Sequence, residues 1–192
     1  MRKLCYQPIT RENLDMAVKI LKEGFPDFYG SAYMELIAHL DGKSEIVVQP
    51  LLVYDGENAI GTTGFYDIGN EGEVWLWFYC VATEFRKKGI GTQILLDSIN
   101  MAQEIEGKKV LRIYTFSTWN SSAQGIYKKH MNLAEYYDNP ADSKFCIEQG
   151  KPMVYSVGLN KTAPLPWDNR FIDFDYELRN HEVGKKLVKG VN

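Results

Sequence analysis

Hydrophobic residues recur at two different periods along the chain, and each change of period marks a change of element. After a short strand-like start, residues 10–22 put Leu14, Ala17, Val18 and Leu21 on one helical face, with Thr10 as N-cap and Asn13 at its N3 position. The segment EGFPDFYGSAY carries Gly, Pro and several aromatics and reads as a loop leading to a second helix over 32–40, stopped by Asp41 and Gly42. Residues 46–54, 59–66 and 73–82 are β-rich and separated by Asp55-Gly56 and the turn at 69–72, which predicts three consecutive antiparallel strands. Helical spacing returns over 89–105, through Ile90, Ile94, Leu95, Ile99 and Ala102, and ends at Gly107. A strand over 110–116, a short helix over 121–130 with Asn120 as N-cap, and strands over 133–137 and 153–159 complete the series. The order ααβββαβαββ predicts an α/β (α+β) architecture: a mixed sheet with helices on both faces and a parallel pair where a helix crosses between strands.

Beyond this core, the stiff linker NKTAPLPW leads into Ile172, Phe174, Tyr176 and Leu178, alternating with Asp173, Asp175 and Glu177. That alternation predicts a half-buried strand, followed by a weak, Lys-rich helical end over 182–188 interrupted by Gly184. The chain therefore divides into a domain over 1–159 and an extension over 160–192, packed on the domain or on a partner chain. With 192 residues and 45% apolar content, one packed domain is the expectation. A net charge of -3 gives no overall positive field to draw nucleic acid or an anionic membrane. No apolar run reaches the ~18 residues needed to cross a bilayer, and the opening residues lack the apolar stretch of a signal peptide, so a cytoplasmic protein is expected. Cys5, Cys80 and Cys146 are too widely spaced for a disulfide framework or a zinc cage, and no metal site is expected.

Candidate chemistry concentrates where a hydrophobic strand runs through Tyr79, Cys80 and Val81 into Arg86-Lys87-Lys88-Gly89-Ile90-Gly91 and then directly into an amphipathic helix from Thr92 on. The first turn of a helix presents unpaired N–H groups and the positive end of its dipole, so it accepts a phosphate. Gly89 and Gly91 allow close backbone approach, and Arg86, Lys87 and Lys88 add positive charge, so a pyrophosphate suits the turn. A solvated basic turn with helix-starting glycines is the plainer alternative. A dinucleotide fingerprint fails because Ile94 occupies the third glycine position and no acid ends the next strand. There is no GxxxxGK[ST], HExxH or GxSxG, and His39, His130 and His181 lie far apart.

The run from Val81 through Gly91 resembles the Q/R-x-x-G-x-G/A cofactor motif of the GNAT acyltransferase superfamily. Asn120, Ala123 and Tyr127 resemble the second half of that signature, Asn-x-x-Ala-x-x-x-Tyr. The resemblance covers about residues 9–159. It implies a GNAT-like mixed, mostly antiparallel sheet of about seven strands flanked by helices, with a V-shaped splay between core strands 4 and 5. It further implies acetyl-CoA as cofactor, with the pantetheine arm on the backbone of Tyr79, Cys80 and Val81 and the pyrophosphate on the amides of 87–92 beside Arg86. By the same resemblance Asn120 and Ala123 border the pantetheine or acetyl end, and Tyr127 protonates the departing thiolate. Asn120 as a plain N-cap and Tyr127 as a core ring are the structural alternatives. Two positions depart from the family: Thr83 stands for the usual proline, and His130-Met131 follows where Gly-Phe is usual.

The expected reaction is direct attack of a primary amine on the thioester, without an acyl-enzyme on Cys80. A carboxylate must take the proton of the amine, and Glu73 is the first candidate, with Glu71, Asp67 and Glu84 as competitors. Phe25, Asp27, Phe28, Tyr29 and Tyr33, between and within the first two helices, are the acceptor-side candidates and suit a small amine with an apolar part, the acceptor itself being left open. A non-catalytic acyl-CoA sensor is the alternative function, as is an interaction protein pairing through its tail strand; a homodimer is compatible with each.

Overall fold

The computed structural model describes residues 2–44, 47–69, 71–116, 121–136, 152–164, 166–167 and 174–188. A first strand, β1 (Leu4–Pro8), leads into helices α1 (Leu14–Gly24) and α2 (Tyr29–Leu40). Strands β2 (Val47–Asp55), β3 (Asn58–Asp67), β4 (Glu73–Leu76) and β5 (Cys80–Val81) follow, then a 3-10 turn (Thr83–Phe85) and α3 (Ile90–Gln103). The chain continues with β6 (Val110–Phe116), α4 (Ser121–His130), β7 (Leu133–Tyr136), β8 (Pro152–Gly158) and α5 (Phe174–Leu187). The sheet runs β1-β2-β3-β4-β6-β8-β7, with β5 paired to β3. Every pairing is antiparallel except β4 with β6, which are joined by the α3 crossover.

The sheet has eight strands because one core strand is broken in two. On β3, Phe65 faces Leu76 and Thr62 faces Cys80, so three steps along β3 answer four steps along β4 and β5. One extra residue is therefore looped out between Leu76 and Cys80, the signature of a β-bulge. Phe78 carries the distortion, with a φ of 24° that L residues seldom adopt. The same strand leaves its other neighbour: β4 pairs with β6 only at Glu73, Val74 and Trp75, while β6 runs on against β8 to Phe116. The V-shaped splay between the fourth and fifth core strands is thus present, and the bulge opens it.

Alternation along these strands sorts side chains to two faces. Val74, Leu76, Tyr79 and Val81 join Leu111 and Ile113 in a core with α3 and Tyr127. Trp77 and Cys80 turn the other way, into a core with α1 and α2. Trp75 joins that second face in an aromatic cluster with Phe28, Phe116, Val154 and Trp167.

Three helices differ from the pattern-based expectation, the second by starting at Tyr29, inside the segment read as a loop. The first helix begins at Leu14, because residues 11–13 form a turn in which Thr10 N–H donates to Asn13 Oδ1 (2.7 Å) and Glu12 N–H to Thr10 Oγ1 (3.3 Å). The tail is the larger correction: Phe174–Leu187 is a helix, not a strand. Phe174, Leu178 and His181 lie at i, i+4 and i+7, so the segment carries a helical period as well as an alternating one, and Glu, Leu, Arg and Lys favour the helix. Ile172 lies outside the described residues. The helix docks on α2 backbone to backbone: a Cβ on Gly184 would stand 2.0 Å from Gly30 O, and one on Gly30 2.1 Å from His181 O. The buried His181 accepts the Gly30 N–H at Nδ1 (3.1 Å).

Candidate functional site

The turn entering α3 has the shape of an anion cradle. Lys87 (φ 61°) and Gly89 (φ 76°) both sit in the left-handed region, which turns successive N–H groups inward. The first i to i−4 bond of the helix is Gln93 N–H to Gly89 O (3.1 Å), so the N–H groups of Ile90, Gly91 and Thr92 precede the helical ladder and face out of its end. A Cβ at Gly91 would stand 2.9 Å from Tyr79 Oη, so a larger residue there displaces the tyrosine. Tyr79 Oη donates to Gly91 O (2.7 Å) and so pins the splayed strand to the first turn of α3.

The three basic residues have separate jobs. Arg86 donates from Nε to Val81 O (2.8 Å) and from Nη2 to Glu23 O (3.3 Å), tying the turn to β5 and α1. Lys88 donates to Glu84 O (2.9 Å) and lies over the Phe85 ring (5.4 Å). Lys87 is exposed.

β5 forms one wall of the splay. Ala82 N–H donates to Ile60 O (2.9 Å), so by antiparallel alternation Val81 turns its N–H and C=O away from β3, toward the open V. Arg86 takes the carbonyl and leaves the Val81 N–H facing that opening. The Cys80 side chain points the other way, to Thr62 Oγ1 (3.2 Å) and Ile20 O (3.7 Å), and burial pushes its thiol up to about 11. It is a packed thiol, not an activated one.

Tyr127 on α4 is buried, with its ring centroid 6.1 Å from Tyr79 and 5.4 Å from Tyr155. Burial, then the neighbouring Tyr79, Cys80 and Tyr155, hold its phenol well above the ordinary tyrosine range. Its O–H stays protonated throughout neutral pH. Ala123, one helical turn earlier, is half-buried beside the same core. Asn120 lies outside the described residues.

Glu73 is placed elsewhere. It accepts from Arg112 Nη2 (2.8 Å) and Nε (3.1 Å) at the closed end of the V, in an ion pair whose side chains are 11% and 1% exposed. Tyr79 is six residues downstream, up to about 20 Å of extended chain away. The carboxylate is thus engaged by a buried guanidinium. Of its competitors, Asp67 pairs with Lys108, and Glu71 and Glu84 lie on exposed turns.

The acceptor-side candidates separate as well. Phe25 meets Phe78 edge-on at the bulge (5.2 Å), and Phe28 is buried in the Trp75 cluster. Tyr29 faces His181 (5.3 Å) and Lys22 (5.8 Å), Tyr33 packs in the second core, and Asp27 is exposed. Sequence reasoning missed Glu35, whose Oε2 accepts the Trp77 indole N–H (2.8 Å) and so brings a carboxylate from α2 to the residue before Phe78. Its spacing on an amphipathic helix carried no signal of that contact. Among the described residues no three His, Cys, Asp or Glu gather as metal ligands.

A family model described as Acetyltransferase (GNAT) family matches residues 14–132 of the 192. The chain belongs to the GNAT acetyltransferase family. Acyl transfer of the N-acetyltransferase type is the chemistry that membership brings. Among curated proteins no sequence matches significantly. Solved GNAT structures share the fold at low identity. NAA60 of Arabidopsis thaliana, in complex with a bisubstrate analogue, has a TM-score of 0.60 at 15% identity, covering 83% of this chain and 100% of that one. The IAA acetyltransferase of Bacillus cereus has a TM-score of 0.58 at 15% identity, covering 82% and 100%. RimL, a ribosomal L7/L12 alpha-N-protein acetyltransferase in complex with coenzyme A, has a TM-score of 0.62 at 10% identity, covering 83% and 96%. No helix among the described residues is long and apolar enough to cross a membrane.

Proposed function

We propose that this GNAT protein moves an acetyl group from acetyl-CoA to a primary amine by direct attack. The observation that carries the reading is the meeting of the bulge-opened V, the anion cradle at the start of α3 and the buried Tyr127 on one side of the sheet. The amides of 87–92 hold the pyrophosphate, and the Val81 wall of the V holds the pantetheine arm. When bound, acetyl-CoA supplies the activated thioester.

The Val81 N–H stabilises charge developing on the carbonyl oxygen. The amine forms the C–N bond as the C–S bond breaks, and Tyr127 gives its proton to the sulfur. The surplus proton of the amine goes to a carboxylate on the opposite face, a role we give to Glu35, beside the bulge, and not to Glu73. Cys80 takes no part.

Isothermal titration with acetyl-CoA and with CoA tests the cofactor assignment. Saturable binding by the intact protein, lost in Gly89→Asp and kept in Gly89→Asn, supports it; the Cβ of either residue meets open space, and the asparagine carries the same cost of the left-handed φ of 76° without the charge. Absence of binding to the intact protein refutes it.

A further inference from the structure

A buried hydroxyl sits against the bulge that opens the V. Thr62 and Thr63 on β3 are both fully buried, and as neighbours on a strand they point to opposite faces of the sheet. Thr63 Oγ1 meets Ser98 Oγ on α3 (2.8 Å), which ties the sheet to that helix. Thr62 stands opposite Cys80; its Oγ1 donates to Phe78 O (2.8 Å) and lies 3.2 Å from Cys80 Sγ. It therefore touches both the distorted residue of the bulge and the residue at which regular pairing resumes. A hydroxyl this deep in the sheet needs a partner, and its partner is the carbonyl of the strained residue.

The register explains why this bulge matters to the chemistry. The ladder is closed on one side of it by Trp77 N–H to Gly64 O (2.9 Å) and on the other by Ala82 N–H to Ile60 O (2.9 Å). Counted from Trp77 without the extra residue, Val81 and not Ala82 would stand opposite Ile60. The Val81 N–H would then be spent in the ladder, and the Tyr79 and Val81 side chains would cross to the face of α1 and α2. The bulge is thus what turns the Val81 N–H toward the opening. Trp77 is tied through its indole to Glu35 and Tyr79 through its phenol to Gly91, whereas Thr62 acts on the backbone between them.

We propose that Thr62 is a positioning residue for acetyl transfer: its hydroxyl holds the Phe78 carbonyl, fixes the register of the bulge and keeps the Val81 N–H aimed at the thioester oxygen. This rests on the acetyl-transfer reading above, which gives that N–H to the carbonyl of acetyl-CoA. The demand on the hydroxyl is one of direction. A hydrogen bond weakens steeply as it bends, so a small rotation of the Val81 peptide costs the carbonyl its donor. CoA lacks that carbonyl, and its pyrophosphate is assigned to the amides of 87–92, so its affinity does not depend on the aim.

Isotope-edited infrared difference spectra of bound acetyl-CoA, unlabelled against carbonyl-13C, read the aim without any acceptor, because a hydrogen bond to the oxygen lowers the carbonyl stretch. The full-length protein is compared with Thr62→Ser, which keeps the hydroxyl, and with Thr62→Val, which replaces it by a methyl of the same shape. The intact protein and Thr62→Ser give the same low stretch. Thr62→Val gives a higher one and still binds CoA, by isothermal titration, as tightly as the intact protein. Should Thr62→Val fail to fold, Thr62→Ala reads the same shift. A stretch unchanged in the folded variant overturns the proposal, as does a Thr62→Ser protein that shifts like Thr62→Val. Loss of CoA binding together with the shift also overturns it, since the hydroxyl would then support the whole V and not the aim of one N–H. Failure of the unaltered protein to bind acetyl-CoA would instead remove the acetyl-transfer reading, and the role of Thr62 with it.

Discussion

Arg112→Leu should destabilise the protein severely while leaving the cofactor cradle intact. The guanidinium is fully buried and makes two bonds to Glu73, one to Ser156 Oγ (2.7 Å) and one to Pro166 O (3.3 Å). Its removal strands a carboxylate that is almost as buried, a loss of about 3–5 kcal/mol. For a chain of this length each kcal/mol lowers the melting temperature by about 2–4 °C, so a fall of roughly 6–20 °C is expected. The double variant Glu73→Leu/Arg112→Leu removes both charges, so only the bonds to Ser156 and Pro166 go unanswered, at about 1 kcal/mol each. It should recover about a third to three fifths of the loss. Thermal melts followed by circular dichroism give the stabilities, and titration with acetyl-CoA below the transition confirms that the cradle persists. A single variant losing less than about 1 kcal/mol, or a double variant no better than the single, would refute a structural ion pair. So would a Glu73→Gln protein of unchanged stability whose turnover had lost its pH dependence, since that outcome would make Glu73 the base.

Other consequences follow from the same geometry. Tyr127→Phe should leave acetyl-CoA affinity unchanged and lower kcat by about 10²–10⁴-fold, the worth of a general acid; an unaltered kcat would return Tyr127 to a packing role. Glu35→Gln should flatten the acidic limb of the kcat/KM profile against pH, and a profile identical to that of the intact protein would remove Glu35 as proton acceptor. Burial, then Lys185, hold His181 below its ordinary pKa, against the smaller upward pulls of Glu182 and Asp27. Its contribution to stability is present above the unfolded-state value of about 6.5 and is lost as pH falls through that value toward the depressed folded one. The melting temperature should thus drop between pH 7.5 and 5.5 in the intact protein and less so in His181→Asn. With its thiol raised to about 11, Cys80 should resist iodoacetamide at neutral pH while the exposed Cys5 reacts, and Cys80→Ala should retain turnover; lost turnover would revive an acyl-enzyme.

The core was legible wherever one local period dominated. The α3 spacing from Ile90 to Ala102 and the Gly89 turn before it are local features, and they lie where the sequence pattern put them. The splay was accessible only through the family resemblance, since a bulge at Phe78 leaves no mark in a run such as WLWFYCV. The tail was misread because Phe174, Leu178 and His181 satisfy a helical period beneath the apparent alternation, and because the Gly30–Gly184 contact that holds the helix is invisible to periodicity. The Glu73–Arg112 pair was not legible for a related reason: the two residues are 39 apart on different strands, and only the parallel register of β4 with β6 brings them together.

Release of free thiol from acetyl-CoA, measured with and without a primary amine such as benzylamine and paired with mass spectrometry of that amine, tests acetyl transfer most directly. Thiol release that depends on the amine and matches the acetylated product is the predicted result. Tight acetyl-CoA binding with no amine-dependent thiol release and no acetylated amine would contradict it and leave a protein that binds the cofactor without using it.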